Sequence, residues 1–185
     1  RKESSAASDV YKRQHMGNTV AVWGVGGVGA HLVQLSKLAG AVPVIAVDLN
    51  DAVLERAKRL GADYAFRSDD PDLMKKIEDI TDGRMVDIAF DAVGIQPTLR
   101  ACVESLDING KAVSIGLSPQ NIDAGTFLEF NLKKKQLLGH LGYKRQDIAR
   151  LADMLSYGRL DLTESISKII PLSLIHISEP TRRRG

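Results

Sequence analysis

The sequence predicts an α/β domain built on a doubly wound parallel sheet of six strands, with helices on both faces. Three observations carry this. Short β-rich apolar runs alternate with longer stretches of helical period. The first such run, "TVAVW", passes directly into the glycine-rich turn "GVGGVG" and then into a helical stretch. The patterned part of the chain, 15–171, has a length that suits one domain with a sizeable interior.

In chain order, the first strand falls at 19–23 and a helix at 28–39. A second strand at 44–47 precedes a helix at 52–60, and a third at 64–66 precedes a helix at 71–80. The fourth strand, 87–90, leads to a helix at 97–106, and the fifth and sixth fall at 112–115 and 136–138. An amphipathic helix at 145–157 follows. Pro71 and Pro97 stand near helix starts, where a missing N–H is tolerated. Gly40, Gly61, Gly83 and Gly110 directly follow helical runs, the place of a C-terminal cap. Residues 117–135 are the least clearly patterned, and no internal repeat or low-complexity linker is present.

The ends differ from this interior. "DVYKRQ" at 9–14 can be encoded by GATGTGTATAAGAGACAG, whose reverse complement translates as "LSLIHI", the string at 172–177. Two protein segments are rarely opposite strands of one oligonucleotide. Residues 1–14 and 172–185 are therefore read as translated transposon-end adapter, not native, and 15–171 as a domain truncated at both ends. Seven of the 25 basic residues and three of the 23 acidic ones lie in those tails, so the net charge of +2 becomes −2 within 15–171. The apparent basicity gives no support to a nucleic-acid partner. Cys102 is the only cysteine, which excludes an intrachain disulfide and a multi-cysteine zinc site and fits a cytoplasmic protein. No apolar run is long enough to cross a membrane.

Gly24, Gly26 and Gly29 fall on G-x-G-x-x-G directly after the first strand, and Asp48 ends the second strand nineteen residues past Gly29. Strand, turn, helix and acidic residue together form the dinucleotide fingerprint. Gly24 permits the tight turn, Gly26 lets a pyrophosphate approach the backbone, and Gly29 lets the helix pack on the strand. The helix N-terminus offers unpaired N–H groups and partial positive charge to the phosphates.

From these residues onward the chain resembles the medium-chain dehydrogenases and reductases, and within them the zinc-dependent alcohol and polyol dehydrogenases. The carriers are "VAVWGVGGVG", "VDLN", "AKRLGAD", "VDIAFDAVG", "GKAVSIGL" and "LLGHLG", in that order. The resemblance implies a Rossmann-type dinucleotide-binding domain with NAD as cofactor. It places the pyrophosphate at Gly24, Gly26, Gly27, Val28 and Gly29, and the adenosine ribose at Asp48 and Leu49. Ala92, Val93 and Gly94 would meet the cofactor at the fourth strand, Ile115, Gly116 and Leu117 would read the nicotinamide carboxamide, and His140 would lie near the nicotinamide end.

The same resemblance implies a parent enzyme in which a catalytic zinc polarises a small alcohol or polyol substrate for hydride transfer. Its zinc ligands belong to a preceding domain, so 15–171 is expected to hold no catalytic or metal-binding residue and to be inactive alone. The region 161–171 resembles the chain turning back toward that domain. Family members associate through the edge of this sheet, making 126–138 the candidate contact of a homo-oligomer. Two other readings compete. A zinc-free, NADPH-dependent quinone or enoyl reductase is disfavoured by Asp48 and by the form of the turn. A non-enzymatic NAD-sensing regulatory module shares the turn and Asp48 but not "FDAVG" and "GKAVSIGL".

Four other features have plain structural readings. Cys102 sits among apolar neighbours as a packing residue. His31 reads as a helix-surface residue rather than a phosphate contact, and Asp91 as a loop anchor rather than a general base. Lys133, Lys134 and Lys135 read as a solvated edge. If the tails are adapter, deleting 1–14 and 172–185 together leaves the melting temperature nearly unchanged; a drop of several degrees in a calorimetric scan would show that they are structure.

Overall fold

The computed structural model describes residues 16–166, 169 and 171; both adapter-like tails, 1–14 and 172–185, lie outside the described residues. The chain runs β1 (Val20–Trp23), α1 (Gly27–Leu38), β2 (Val44–Asp48), α2 (Asp51–Arg59), β3 (Tyr64–Arg67), α3 (Leu73–Ile80) and β4 (Val86–Asp91). It continues through α4 (Gln96–Glu104), β5 (Leu106–Ser114), α5 (Phe127–Leu132), β6 (Gln136–Gly139) and α6 (Arg145–Ser156). All six strands are parallel, in the order β3-β2-β1-β4-β5-β6.

β1 and most of β2 read as unbroken apolar runs because both faces of the sheet are covered there. Side chains alternate between the two faces. Val20, Val22, Val44 and Ala46 pack with Leu32 and Val33 of α1 and Leu54 of α2 on one face. Ala21, Trp23, Ile45 and Val47 pack with Ile77 of α3 and Leu99 and Val103 of α4 on the other. Each fully buried Val, Leu or Phe contributes about 1.5–3 kcal/mol, so β1 and β2 anchor both layers.

Three expectations need correction. The helix expected at 97–106 stops at Glu104, because Leu106 already pairs with Val86 in the sheet. Gly110 is consequently not a helix cap: it lies within β5, beside a register irregularity where Asn109 has φ +62°. Lys135 is not solvated. Its Nζ donates to the Val103 carbonyl and to Glu129, each at 2.8 Å, with its side chain 1% exposed. The unpatterned stretch holds one short helix, α5, whose Thr126 hydroxyl accepts the Glu129 N–H at 3.3 Å. None of its residues is buried, which is why no apolar period marks it. At the β6 side of the sheet, Phe127, Leu128 and Leu132 stand exposed.

The β1–α1 turn holds the most confined of the described glycines. A Cβ on Gly29 would lie 1.8 Å from the Gly24 carbonyl oxygen, whereas one on Gly27 would meet nothing within 4 Å. The substitution Gly29→Ala therefore costs about 3 kcal/mol or more. Gly27→Ala, which suits a helical position, changes stability by less than about 1 kcal/mol. Urea denaturation of the two variants checks the contrast; equal midpoints would contradict it.

Candidate functional site

The strand order reverses between β1 and β4, and ligands of open parallel sheets bind in the crevice beyond the strand ends at such a reversal. The residues lining that crevice come from the turns after β1, β2, β4 and β5.

The turn after β1 is fixed at every peptide. Gly24 adopts φ +84° and donates its N–H to the Val47 carbonyl at 2.8 Å, tying the turn to β2. The Val25 N–H donates to Asp48 Oδ2 at 2.8 Å. On the carbonyl side, Arg56 Nη2 donates to Val25 O at 2.9 Å and to Gly26 O at 2.7 Å. No side chain caps α1, and its first turn carries no acidic residue. The N–H groups of that end thus keep their partial positive charge for an anion. Space is available there, since a Cβ on Gly26 or Gly27 would meet nothing within 4 Å.

At the end of β2, Asp48 Oδ1 accepts the Asn50 N–H at 3.0 Å, and Asn50 caps α2 by accepting the Ala52 N–H at 2.9 Å. A carboxylate offers about four lone-pair directions. Two are used by backbone, which leaves capacity for further donors. Beside it lies a cavity of about 240 Å³ lined by Asp48, Leu49, Ser68, Val93, Ile95 and Trp23, among others. Leu49 and Val93 are exposed apolar side chains on its walls.

Asp91 ties together the walls after β4 and β5. Its side chain is buried, and Oδ1 accepts from Val93 N and Gly94 N at 3.1 Å and from the Thr98 hydroxyl at 3.3 Å. Its carbonyl accepts from Ile115 N at 2.8 Å and Gly116 N at 3.0 Å. Asp91 is thus a loop anchor, as read from the sequence. The two walls touch backbone to backbone: a Cβ on Gly116 would lie 2.2 Å from Gly94 N. Ala92, Val93 and Gly94 consequently stand beside Ile115, Gly116 and Leu117. His140, past β6, donates its backbone N–H to Ser114 O at 3.0 Å, and its Nε2 donates to the Gly142 carbonyl at 3.0 Å. Every residue that the sequence resemblance assigns to the cofactor therefore lies at the C-terminal ends of the strands or just beyond them.

Among the described residues no group of three or more His, Cys, Asp or Glu could hold a metal ion. Cys102 is fully buried, and burial first, then Asp91, pushes its thiol pKa up, so it is an inert packing residue. His31 is not a free surface histidine. Its ring nitrogen Nε2 faces the Ser165 hydroxyl at 3.0 Å, and burial, then Arg56, lowers its pKa. Nearby, Gln34 exchanges hydrogen bonds with the Asp161 backbone at 2.9 and 3.0 Å, so the start of the 161–171 region docks on α1. Sequence reading missed Arg56, which no motif marks. Its position eight residues past Asp48, on the helix after β2, was the available signal.

Comparison with known proteins agrees with this geometry. The family model described as zinc-binding dehydrogenase matches residues 27–157. A sorbitol dehydrogenase of Bacillus subtilis is 35% identical over 105 residues, covering 57% of this chain and 30% of its own. An alcohol dehydrogenase of Cupriavidus necator is 30% identical over 149 residues, covering 80% of this chain and 41% of its own. The crystal structure of an alcohol dehydrogenase zinc-binding domain protein from Burkholderia ambifaria superposes with a TM-score of 0.82 at 26% identity, covering 92% of this chain and 47% of that one. The chain spans about half the length, or less, of the relatives it matches. Since the family match covers well over half of the sequence and the glycine turn, Asp48 and paired loop walls occupy one crevice, the chain belongs to the medium-chain, zinc-type alcohol and polyol dehydrogenases.

Proposed function

We propose that this chain is the NAD-binding part of an oxidoreductase that transfers a hydride between a small alcohol or polyol and the nicotinamide. The observation that carries the cofactor choice is the charge balance at the end of β2. Asp48 faces the crevice there, and the nearest cation in the sheet, Arg67, is its register partner on β3. Arg67 is already engaged. It donates to Asp69 at 2.9 and 2.8 Å and to Asp51 at 3.0 Å, and hydrogen bonds to Asp69 first and Asp51 second push its pKa further up. The Arg67 guanidinium is thus not free to meet a ribose 2′-phosphate at this strand end.

The residues fit a dinucleotide on the grounds of shape and donor chemistry. The uncapped end of α1, with open space over Gly26 and Gly27, suits a pyrophosphate. Asp48 suits the ribose hydroxyls as acceptor, and the apolar cavity bounded by Leu49 and Val93 suits a flat base. The backbone of Ile115, Gly116 and Leu117 lines the far wall, toward the nicotinamide. When bound, the nicotinamide supplies the hydride acceptor. The chain's own part is to bind and orient it at the crevice, where Asp91 keeps the two walls in register. In this reading the group that polarises the alcohol belongs to parts of the enzyme beyond the described residues, and the isolated chain is expected to turn over no alcohol.

Like charges about 4 Å apart at an effective dielectric near 20 repel by about 4 kcal/mol. Solvent screening of the partly exposed Asp48 reduces this, and half of it still gives a preference for NAD of about thirtyfold. Calorimetric titrations of the chain with NAD and NADP, repeated for Asp48→Ser, measure it. The preference should largely vanish in the variant. Equal affinities in the unsubstituted chain, or tighter NADP, would replace this reading with the NADPH-dependent quinone reductase one.

A further inference from the structure

The turn after β1 contains three consecutive peptides, and each has one polar end held by a charged side chain. In a planar trans peptide the C=O and the N–H point in opposite directions. Arg56 Nη2 holds the carbonyls of Val25 and Gly26, the second shared with the Ala30 N–H of α1 at 3.2 Å, so the N–H groups of those peptides, on Gly26 and Gly27, face away from α2. A Cβ at Gly26 or Gly27 would meet nothing within 4 Å, so the backbone there is not walled in by side chains. Asp48 holds the preceding peptide the other way round, by its N–H on Val25, which turns the Gly24 carbonyl toward Gly29. A glycine turn has wide conformational freedom when left alone. Here an anion and a cation, on the two sides of the Asn50 cap, remove it before any ligand arrives.

We infer that Arg56 is a positioning residue for phosphate binding: by taking the Val25 and Gly26 carbonyls, it aims the Gly26 and Gly27 N–H groups at the cofactor's pyrophosphate. In this role Arg56 acts through the backbone it holds. The inference rests on the dinucleotide reading above and adds to it a residue outside the fingerprint. An N–H that is no longer aimed loses one hydrogen bond to a charged phosphate, enough to weaken binding by about tenfold.

The test compares the unsubstituted chain with Arg56→Met and Arg56→Lys, using ADP and adenosine as probes. In the ligand-free chain, Arg56→Met should shift and broaden the amide NMR resonances of Gly26 and Gly27 and speed their hydrogen exchange, leaving the remaining spectrum in place. ADP affinity should fall about tenfold while adenosine affinity stays within about twofold. Arg56→Lys, which keeps a charged donor toward the carbonyls, should restore most of both readouts. Unchanged glycine amides in Arg56→Met would overturn the inference, as would an equal loss of ADP and adenosine binding. If the unsubstituted chain binds neither probe, the dinucleotide reading fails, and the ligand-free amide spectra alone still decide the role of Arg56.

Discussion

The carbonyl oxygen of Gly24 occupies the space that a Cβ on residue 29 would need, and the crevice depends on that one contact. It lets α1 start within a few residues of the end of β1 and point its N-terminus at the switch between β1 and β4. A side chain at position 29 would force the helix off the strand, carrying with it the apolar face formed by Leu32 and Val33. Fold and site are therefore coupled at this point. The close packing that stabilises the first layer is the same packing that leaves the helix end open to an anion.

Around the turn, charges are committed in pairs, and the pattern of commitment defines what is left for a ligand. Arg56 is spent on two carbonyls, Arg67 on two carboxylates, and Arg59 on Glu164. Asp48, by contrast, is half-buried and accepts two backbone N–H groups with acceptor capacity to spare. The electrostatic character of the crevice is thus positive at the start of α1 and negative at the end of β2. That is the order in which a dinucleotide presents its pyrophosphate and its ribose diol.

Much of this was legible in the sequence. The central strands announced themselves because both their faces are buried, and G-x-G-x-x-G with Asp48 located the crevice because those positions are constrained by backbone approach and charge. What escaped lay in contacts without a local period. β5 begins at Leu106 instead of 112 because an irregularity near Asn109 interrupts its pairing with β4, and Gly110 serves that irregularity. Lys135 is buried because two acceptors from α4 and α5 meet it, which no run of lysines can reveal. Arg56 is invisible for the same reason: its partners are carbonyls thirty residues earlier, equivalent in sequence to any others.

Trp23 is the only tryptophan in the chain and sits in the wall of the cavity beside Asp48. Energy transfer from its indole to bound NADH therefore tests most directly that a dinucleotide occupies the crevice built on the β1–α1 turn. The account predicts saturable quenching of Trp23 emission with matching sensitised nicotinamide emission, both reversed by excess ADP-ribose. Trp23 emission that is indifferent to NADH, or quenching that ADP-ribose does not reverse, would contradict it.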